Sequence, residues 1–133
     1  MTPENNILIV TPRMEELAAL CRSNTLIEAG LYREYDVKRG LRDVNGKGVL
    51  AGLTNISDII AQREVDGILQ PCPGELYYCG IRIEELVQGF VREGRKGYEE
   101  VAYLLLFGRL PNRSELDSFC DLLGSYKCIP PSF

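Results

Sequence analysis

Histidine is absent from this chain of 133 residues. Most acid–base and nucleophilic chemistry near neutral pH uses an imidazole, because the unperturbed pKa of that side chain lies there. The absence excludes a Ser-His-Asp triad, a Cys-His dyad and a His-ligated metal built from these residues alone. Catalysis would need carboxylates, a lysine or a thiolate. We predict no catalytic residue within this chain.

The five cysteines follow no disulfide or metal-binding pattern. No C-x-x-C pair is present, and no histidine exists to complete a zinc set. An odd number of widely spaced cysteines, in a chain with no visible signal peptide, is typical of reduced thiols in the cytoplasm. We therefore expect a cytoplasmic protein with no metal and with some thiols buried as small apolar side chains.

A basic surplus and a long apolar run are also missing. The net charge is −4, and nucleic-acid or anionic-membrane surfaces demand a basic footprint. The longest apolar run, 101–107, is far shorter than the roughly 20 residues that cross a bilayer. With 45% hydrophobic and 26% charged residues the composition is that of a globular protein. We expect neither nucleic acid nor membrane as a partner.

The most apolar and best-delimited helix is predicted from Tyr98 to Phe107. Gly97 precedes it as N-cap, and Gly108 follows it as a left-handed stop. Because the helix is apolar nearly all round, we expect other elements to enclose it. Asn112 and Glu115 then form a capping box that starts the next helix.

The rest of the pattern predicts a mainly α protein with a small antiparallel β ribbon. Asp66-Gly67 signals a hairpin turn, and the Pro-Cys-Pro-Gly stretch 71–74 is interpreted as a further turn before a third short strand ending at Gly80. A single, partial domain is expected, in five segments: N-terminal helices in 1–36, a basic glycine-rich loop in 37–53, the ribbon in 54–80, three helices in 81–124, and a C-terminal loop in 125–133 at which we expect the chain to be truncated.

The loop at 37–48 concentrates positive charge. It contains four cations against one acid, a local charge of +3. Glycine lets backbone amides approach an anion, and a guanidinium binds phosphate bidentately, so the composition suits a phosphate site. The spacing matches no P-loop or dinucleotide motif, so an ordinary solvated loop remains the alternative.

Two strings, GELYYCGIRIEEL and EEVAYLLLFGRLPNRSEL, make the region from Gly46 to Leu123 resemble citrate synthases and 2-methylcitrate synthases. The resemblance implies the N-terminal part of the large, mostly helical domain of a homodimer, with an apolar helical surface as the dimer contact. It further implies condensation of acetyl-CoA with oxaloacetate, acetyl-CoA as substrate, no tightly bound cofactor, and catalytic residues in the remainder of the enzyme.

The resemblance also implies one binding residue. In GLRDVNGKG, Arg42 stands where family members place an arginine that contacts the phosphates of CoA, with Arg39 and Lys47 as alternatives. The chain departs from the family pattern at Cys79, which replaces an arginine, and at Arg82, which stands at a helix N-terminus where a cation opposes the helix dipole. The leading hypothesis is an N-terminal fragment of the acyltransferase, and the alternative is a non-catalytic dimerisation or partner-binding module derived from that fold. A third hypothesis is a stand-alone CoA or nucleotide binder that uses the basic loop.

Overall fold

The computed structural model describes residues 10–38, 42 and 49–127. Within them, five helices and a three-stranded antiparallel sheet confirm the predicted mainly α class with a small ribbon. In chain order the elements are α1 Pro12–Asn24, α2 Ala29–Glu34, β1 Ser57–Val65, β2 Ile68–Tyr78, β3 Ile81–Arg82, α3 Ile83–Arg92, α4 Tyr98–Phe107 and α5 Arg113–Ser125.

The sequence predicts a helix from Pro12 to Ser23 with Thr11 as its N-cap, and α1 begins at this position. The hydroxyl of Thr11 accepts a hydrogen bond from the Met14 amide at 3.3 Å, and Pro12 occupies the first turn, where its missing N–H costs nothing. On its apolar side Leu17 is buried and contacts the core. At the C-terminal end of α1, the side-chain amide of Asn24 donates a hydrogen bond to the Leu106 carbonyl at 3.3 Å, which connects α1 to α4.

The core lies between α1, α4 and α5. Tyr103 and Leu104 are almost completely buried, and Phe107 and Phe119 are 7% and 5% exposed. The rings of Tyr103, Phe107 and Phe119 contact one another edge to face, with centroids 4.4 to 5.9 Å apart. Each such pair adds about 1 kcal/mol beyond the area that it buries. The aromatic triad therefore joins α4 to α5.

The prediction that α4 is enclosed on all sides was wrong in part. Gly97 and Gly108 flank the helix as predicted, and Gly108 adopts a left-handed φ of 75°. However, Tyr98 is 78% exposed and Leu106 is 42% exposed. The described elements cover one side of α4, and these apolar residues remain in water because no described element packs over them.

The ribbon contains two tight turns of one kind. Asp66 and Gly67 have φ values of 54° and 77°, and Cys79 and Gly80 have 47° and 81°. Two successive residues with positive φ form the type I′ turn, whose twist matches antiparallel strands. The first turn, between β1 and β2, confirms the hairpin predicted at Asp66-Gly67. The second connects β2 to β3, a strand of only two residues.

The prediction of a turn at 71–74 was wrong, because β2 continues through this stretch to Tyr78. Ile60 pairs with Glu75 and Gln62 pairs with Pro71, so residues 72–74 of β2 stand opposite Ala61 alone. This is a bulge, where a residue need not donate to the ladder and a proline is tolerated. The predicted third strand up to Gly80 is therefore the end of β2, and the true third strand follows that glycine.

Helix α3 tolerates a cation at its N-cap. Arg82 occupies this position without a side-chain cap, and its Nε lies 3.4 Å from the carboxylate of Glu84 in the first turn. The carboxylate offsets the positive charge near the positive end of the helix dipole. Among the described residues, no helix has the length and apolar character needed to cross a membrane.

Candidate functional site

Arg42 is the one predicted phosphate ligand that the structure describes. Its side chain is exposed. The two alternatives, Arg39 and Lys47, lie outside the described residues, as does most of the predicted basic loop. The base of the loop is described: the Lys38 amide donates to the Leu50 carbonyl at 2.7 Å, which holds the two ends of the loop together.

One cation of this loop is already paired. The Lys38 ammonium donates to a carboxylate oxygen of Asp36 at 2.6 Å. Asp36 has a φ of 48°, a left-handed conformation that Asp adopts more readily than most residues. Part of the local positive charge predicted from the sequence is therefore balanced within the chain itself.

The corner between α4 and α5 is the best-connected polar cluster. The side chain of Asn112 accepts from the Glu115 amide at 3.0 Å, and Glu115 accepts from the Asn112 amide at 2.8 Å, which confirms the predicted capping box. Arg109 adds two hydrogen bonds to Glu115, at 2.6 and 2.9 Å, and lies over the Tyr103 ring.

Sequence reasoning missed Arg109, although its position three residues before a capping box was a usable signal. The guanidinium of Arg109, together with the Asn112 amide, lowers the pKa of Glu115 to about 2. The carboxylate in turn raises the pKa of Arg109. A carboxylate held this firmly in its charged form is a poor proton acceptor, so the cluster stabilises the corner and offers no general base.

A second polar cluster lies on the hairpin beside the bulge. Arg63 donates to both carboxylate oxygens of Glu75, at 2.8 and 2.9 Å, and the Tyr77 hydroxyl donates to the same carboxylate at 2.6 Å. The hydrogen bond from Tyr77, with Arg63 close by, lowers the pKa of Glu75. The same bond raises the pKa of Tyr77. These partners connect the two strands on either side of the bulge.

Two of the described thiols, those of Cys79 and Cys120, are unsuited to nucleophilic catalysis. Cys79 lies 3.4 Å from the Leu104 carbonyl, and burial raises the pKa of its thiol. Burial, together with neighbouring carboxylates, also raises the pKa of Cys120. A raised pKa lowers the thiolate fraction, and the thiolate is the nucleophile. Cysteines 21, 72, 79 and 120 are free thiols; Cys128 lies outside the described residues.

Among the grooves on the described surface, two have similar volumes. One, of about 440 Å³, has mostly polar walls at the base of the hairpin: Thr54, Asn55, Ser57, Asp58, Ile60, Tyr77, Cys79 and Gly80. The other, of about 500 Å³, lies beside α2 and is mostly apolar. No group of three potential metal ligands occurs in the part of the chain that the structure describes. The arrangement offers binding surfaces and ion pairs.

Comparison with known proteins identifies the family. The family model described as "Citrate synthase, C-terminal domain" matches residues 40–133, which is more than half of the chain and includes Arg42. The chain belongs to the citrate synthase family. This confirms the resemblance that the strings around α3 and α4 indicated.

Two curated citrate synthases are similar to more than two thirds of the chain. The citrate synthase of Haloferax volcanii is 38% identical over 92 residues, covering 69% of this chain and 19% of that protein. The glyoxysomal citrate synthase of Cucurbita maxima is 31% identical over 107 residues, covering 77% of this chain and 19% of that protein. The matches thus span about a fifth of each relative. No solved structure matches the chain.

Proposed function

We propose that this chain is the N-terminal part of the large domain of a citrate synthase, in which it acts as a scaffold and not as the catalytic centre. The observation that carries the proposal is a citrate synthase match in a sequence with no histidine. The pKa of Glu75 is lowered by the hydrogen bond from Tyr77 and that of Glu115 by Arg109, while burial raises the pKa of the Cys79 and Cys120 thiols. The whole enzyme condenses acetyl-CoA with oxaloacetate in the cytoplasm.

The exposed surface supports the scaffold role. Few of the described hydrophobic residues are buried, and apolar side chains such as Leu26, Ile59 and Tyr98 are more than 70% exposed. Surface of this kind is suited to further polypeptide, either the remainder of the subunit or the second subunit of a homodimer.

The enzymatic part of the proposal is tested by release of free thiol from acetyl-CoA in the presence of oxaloacetate. We expect no turnover from the isolated chain, because the family's reaction uses histidines and this chain contains none. A curated citrate synthase assayed in parallel serves as the positive control. Clear turnover by the isolated chain, with acetyl-CoA or propionyl-CoA, would contradict the scaffold role.

Within the enzyme, Arg42 contacts the phosphates of CoA. Support comes from its exposure and from the match of this region to the family model. In a calorimetric titration of the chain with CoA, Arg42→Ala should weaken binding about tenfold, since a charged hydrogen bond contributes roughly 1.5–3 kcal/mol. Lys38→Ala is the matched control, because it removes another cation of the same loop, one that donates to Asp36. Equal affinities of Arg42→Ala and the unmodified chain would remove Arg42 from this role.

A second candidate function is a non-catalytic dimerisation or partner-binding module. The exposed apolar residues of the helices favour it, since a binding module needs an apolar surface and no catalytic residues. The two candidates differ in what restores activity: a scaffold gains condensing activity together with the remainder of a citrate synthase, whereas a binding module does not.

A further inference from the structure

The polar groove at the base of the hairpin has walls that are held in place by the rest of the chain. The side-chain amide of Asn55 donates to the Asn24 carbonyl at 2.7 Å, which fixes one wall against α1. The Cys79 thiol lies 3.4 Å from the Leu104 carbonyl, which fixes another wall against α4. The Tyr77 hydroxyl is held at 2.6 Å by a neighbouring carboxylate. Because these side chains are positioned before a ligand arrives, little ordering entropy opposes binding.

The charge of the groove comes from one side chain. Among the described residues that line it, Asp58 alone is charged. Its carboxylate makes no hydrogen bond or ion pair within the described part of the chain, and neither does the Ser57 hydroxyl. Arg82 pairs with Tyr77 across the sheet, but it lies outside the groove lining and its Nε is 3.4 Å from the carboxylate of Glu84. A groove with one free carboxylate and no cation in its walls favours a positively charged ligand.

An aromatic ring stands beside this carboxylate. Asp58 on β1 and Tyr77 on β2 are directly opposite each other, and both line the groove. Opposite residues of paired strands lie on the same face of the sheet, with Cβ atoms about 5 Å apart. A cation placed between the two side chains contacts a carboxylate and the electron-rich face of a ring, and both contacts favour positive charge.

The size and the chemistry of the groove favour an organic cation over a metal ion. Its volume of about 440 Å³ is suited to a small organic molecule. Calcium and magnesium need several oxygen ligands, and no group of three potential metal ligands occurs among the described residues. A primary ammonium group donates three hydrogen bonds, and the groove offers it the Asp58 carboxylate, the Ser57 hydroxyl and the side-chain oxygen of Asn55.

We propose that this groove binds a small organic molecule through its primary ammonium group, with Asp58 as the charged partner. The inference goes beyond the proposed function, because neither acetyl-CoA nor oxaloacetate carries an ammonium group. The whole lining of the groove lies within residues 40–133, the part of the chain that matches the family model.

The test is a titration of the isotope-labelled chain with butylammonium at pH 7 and low salt, followed by backbone amide resonances. We expect saturable shifts of the amides at 54–58 and 77–80. Asp58→Asn should weaken binding about fivefold, the upper end for a partly exposed ion pair. Asp66→Asn is the matched control: it removes the same charge at the other end of the hairpin, and asparagine tolerates the φ of 54° found there. This variant should bind as the unmodified chain does.

Two further ligands separate charge from shape, because 1-butanol and butyrate have the length of butylammonium without its positive charge. Neither should shift these amides at the same concentration. Equal affinities of Asp58→Asn and the unmodified chain, or no saturable shift with butylammonium, would overturn the proposal. Equal binding of 1-butanol would overturn it in favour of a neutral ligand, and equal weakening by Asp66→Asn would show attraction to the net charge alone. Circular dichroism of both variants should match that of the unmodified chain, since both side chains are exposed.

Discussion

Gly108 is the residue at which the backbone is most constrained. It ends α4 with a φ of 75°, and a Cβ atom placed there would lie 2.2 Å from the side-chain oxygen of Asn24. The side chain of Asn24 cannot move away freely, because its amide donates a hydrogen bond to the Leu106 carbonyl. Gly108 therefore satisfies both a conformational and a steric requirement at the meeting point of α1 and α4.

Gly108→Ala should lower the free energy of unfolding by about 2 kcal/mol, because alanine is strained at positive φ and displaces Asn24. Gly89→Ala is the matched control: it lies within α3 with no atom near the added methyl, and it should raise stability by about 0.5–1 kcal/mol. Urea unfolding followed by circular dichroism measures both. A Gly108→Ala variant as stable as the Gly89→Ala variant would contradict the strain argument.

Glu115 makes the stability of the corner between α4 and α5 depend on pH, with lower stability at lower pH. Its pKa is about 2 in the folded chain against a usual value of 4.5, so between these values the unfolded state binds more protons. The stability that Glu115 contributes is complete above about pH 4.5 and is lost as the pH falls to about 2.

Glu115→Gln should therefore be less stable than the unmodified chain at pH 7, and the difference should close as the pH falls from about 4.5 to about 2. Glutamine keeps a side-chain oxygen for the Asn112 amide, so the variant removes mainly the charge. The measurement is the urea midpoint at several pH values. In an Arg109→Leu background the pH-dependent difference should shrink, because the two side chains act as a pair; an unchanged difference would exclude Arg109 as its cause.

At the scale of elements, the junction of α3 and α4 depends on one close approach. A Cβ atom on Gly97 would lie 2.3 Å from the Phe90 ring, although its backbone φ of −85° is available to any residue. Phe90 is partly buried on the side of α3 that carries Leu86. Glycine is needed here for space and not for conformation.

Gly97→Ala should thus destabilise the chain by about 1–3 kcal/mol, the usual cost of overpacking. Gly124→Ala, in α5 with no atom near the added methyl, is the control and should be neutral or stabilising. Combining Gly97→Ala with Phe90→Leu should recover part of the loss, since the smaller side chain makes room. If the losses of unfolding free energy caused by Gly97→Ala and Phe90→Leu simply add in the double variant, the Phe90 ring is not what the added methyl group contacts.

The β ribbon shows where pattern reasoning succeeds and where it stops. Asp66-Gly67 was predicted as a turn because the residue types themselves favour positive φ. The stretch 71–74 contains the same kinds of turn residues and forms a bulge, because the strand continues to pair beyond it. Whether proline and glycine end a strand or interrupt its ladder depends on the partner strand, which local sequence does not specify.

At the scale of the whole molecule, many large apolar side chains of the described residues are exposed. Buried residues of α1, α4 and α5 form a small core, while Val91, Ile59 and Leu26 are each more than 60% exposed. Apolar side chains exposed in this number favour association with other polypeptide.

The isolated chain should therefore associate as its concentration rises. Light scattering during size-exclusion chromatography should show an apparent mass that increases with loading, and urea below the unfolding midpoint should reduce it because urea weakens apolar contacts. Gly89→Ala, which leaves the apolar surface unchanged, should behave as the unmodified chain does. A well-behaved monomer at high concentration would count against both the scaffold role and the binding-module role.

The sequence by itself determined the features that short-range chemistry controls. These are the start of α1 at Thr11, the ends of α4, the capping box of α5, the first hairpin turn and the family resemblance. Each depends on residues within a few positions of one another, so their identities suffice. The lack of an imidazole is likewise a property of composition alone.

Only the tertiary structure decided the features that join distant residues. The continuation of β2 past its prolines depends on pairing with β1, and the depressed pKa of Glu115 depends on Arg109 reaching it across the corner. The exposure of Tyr98 depends on which elements pack around α4. Sequence reports that a helix is apolar, whereas only the fold shows which of its sides is covered, because burial is a property of the surroundings.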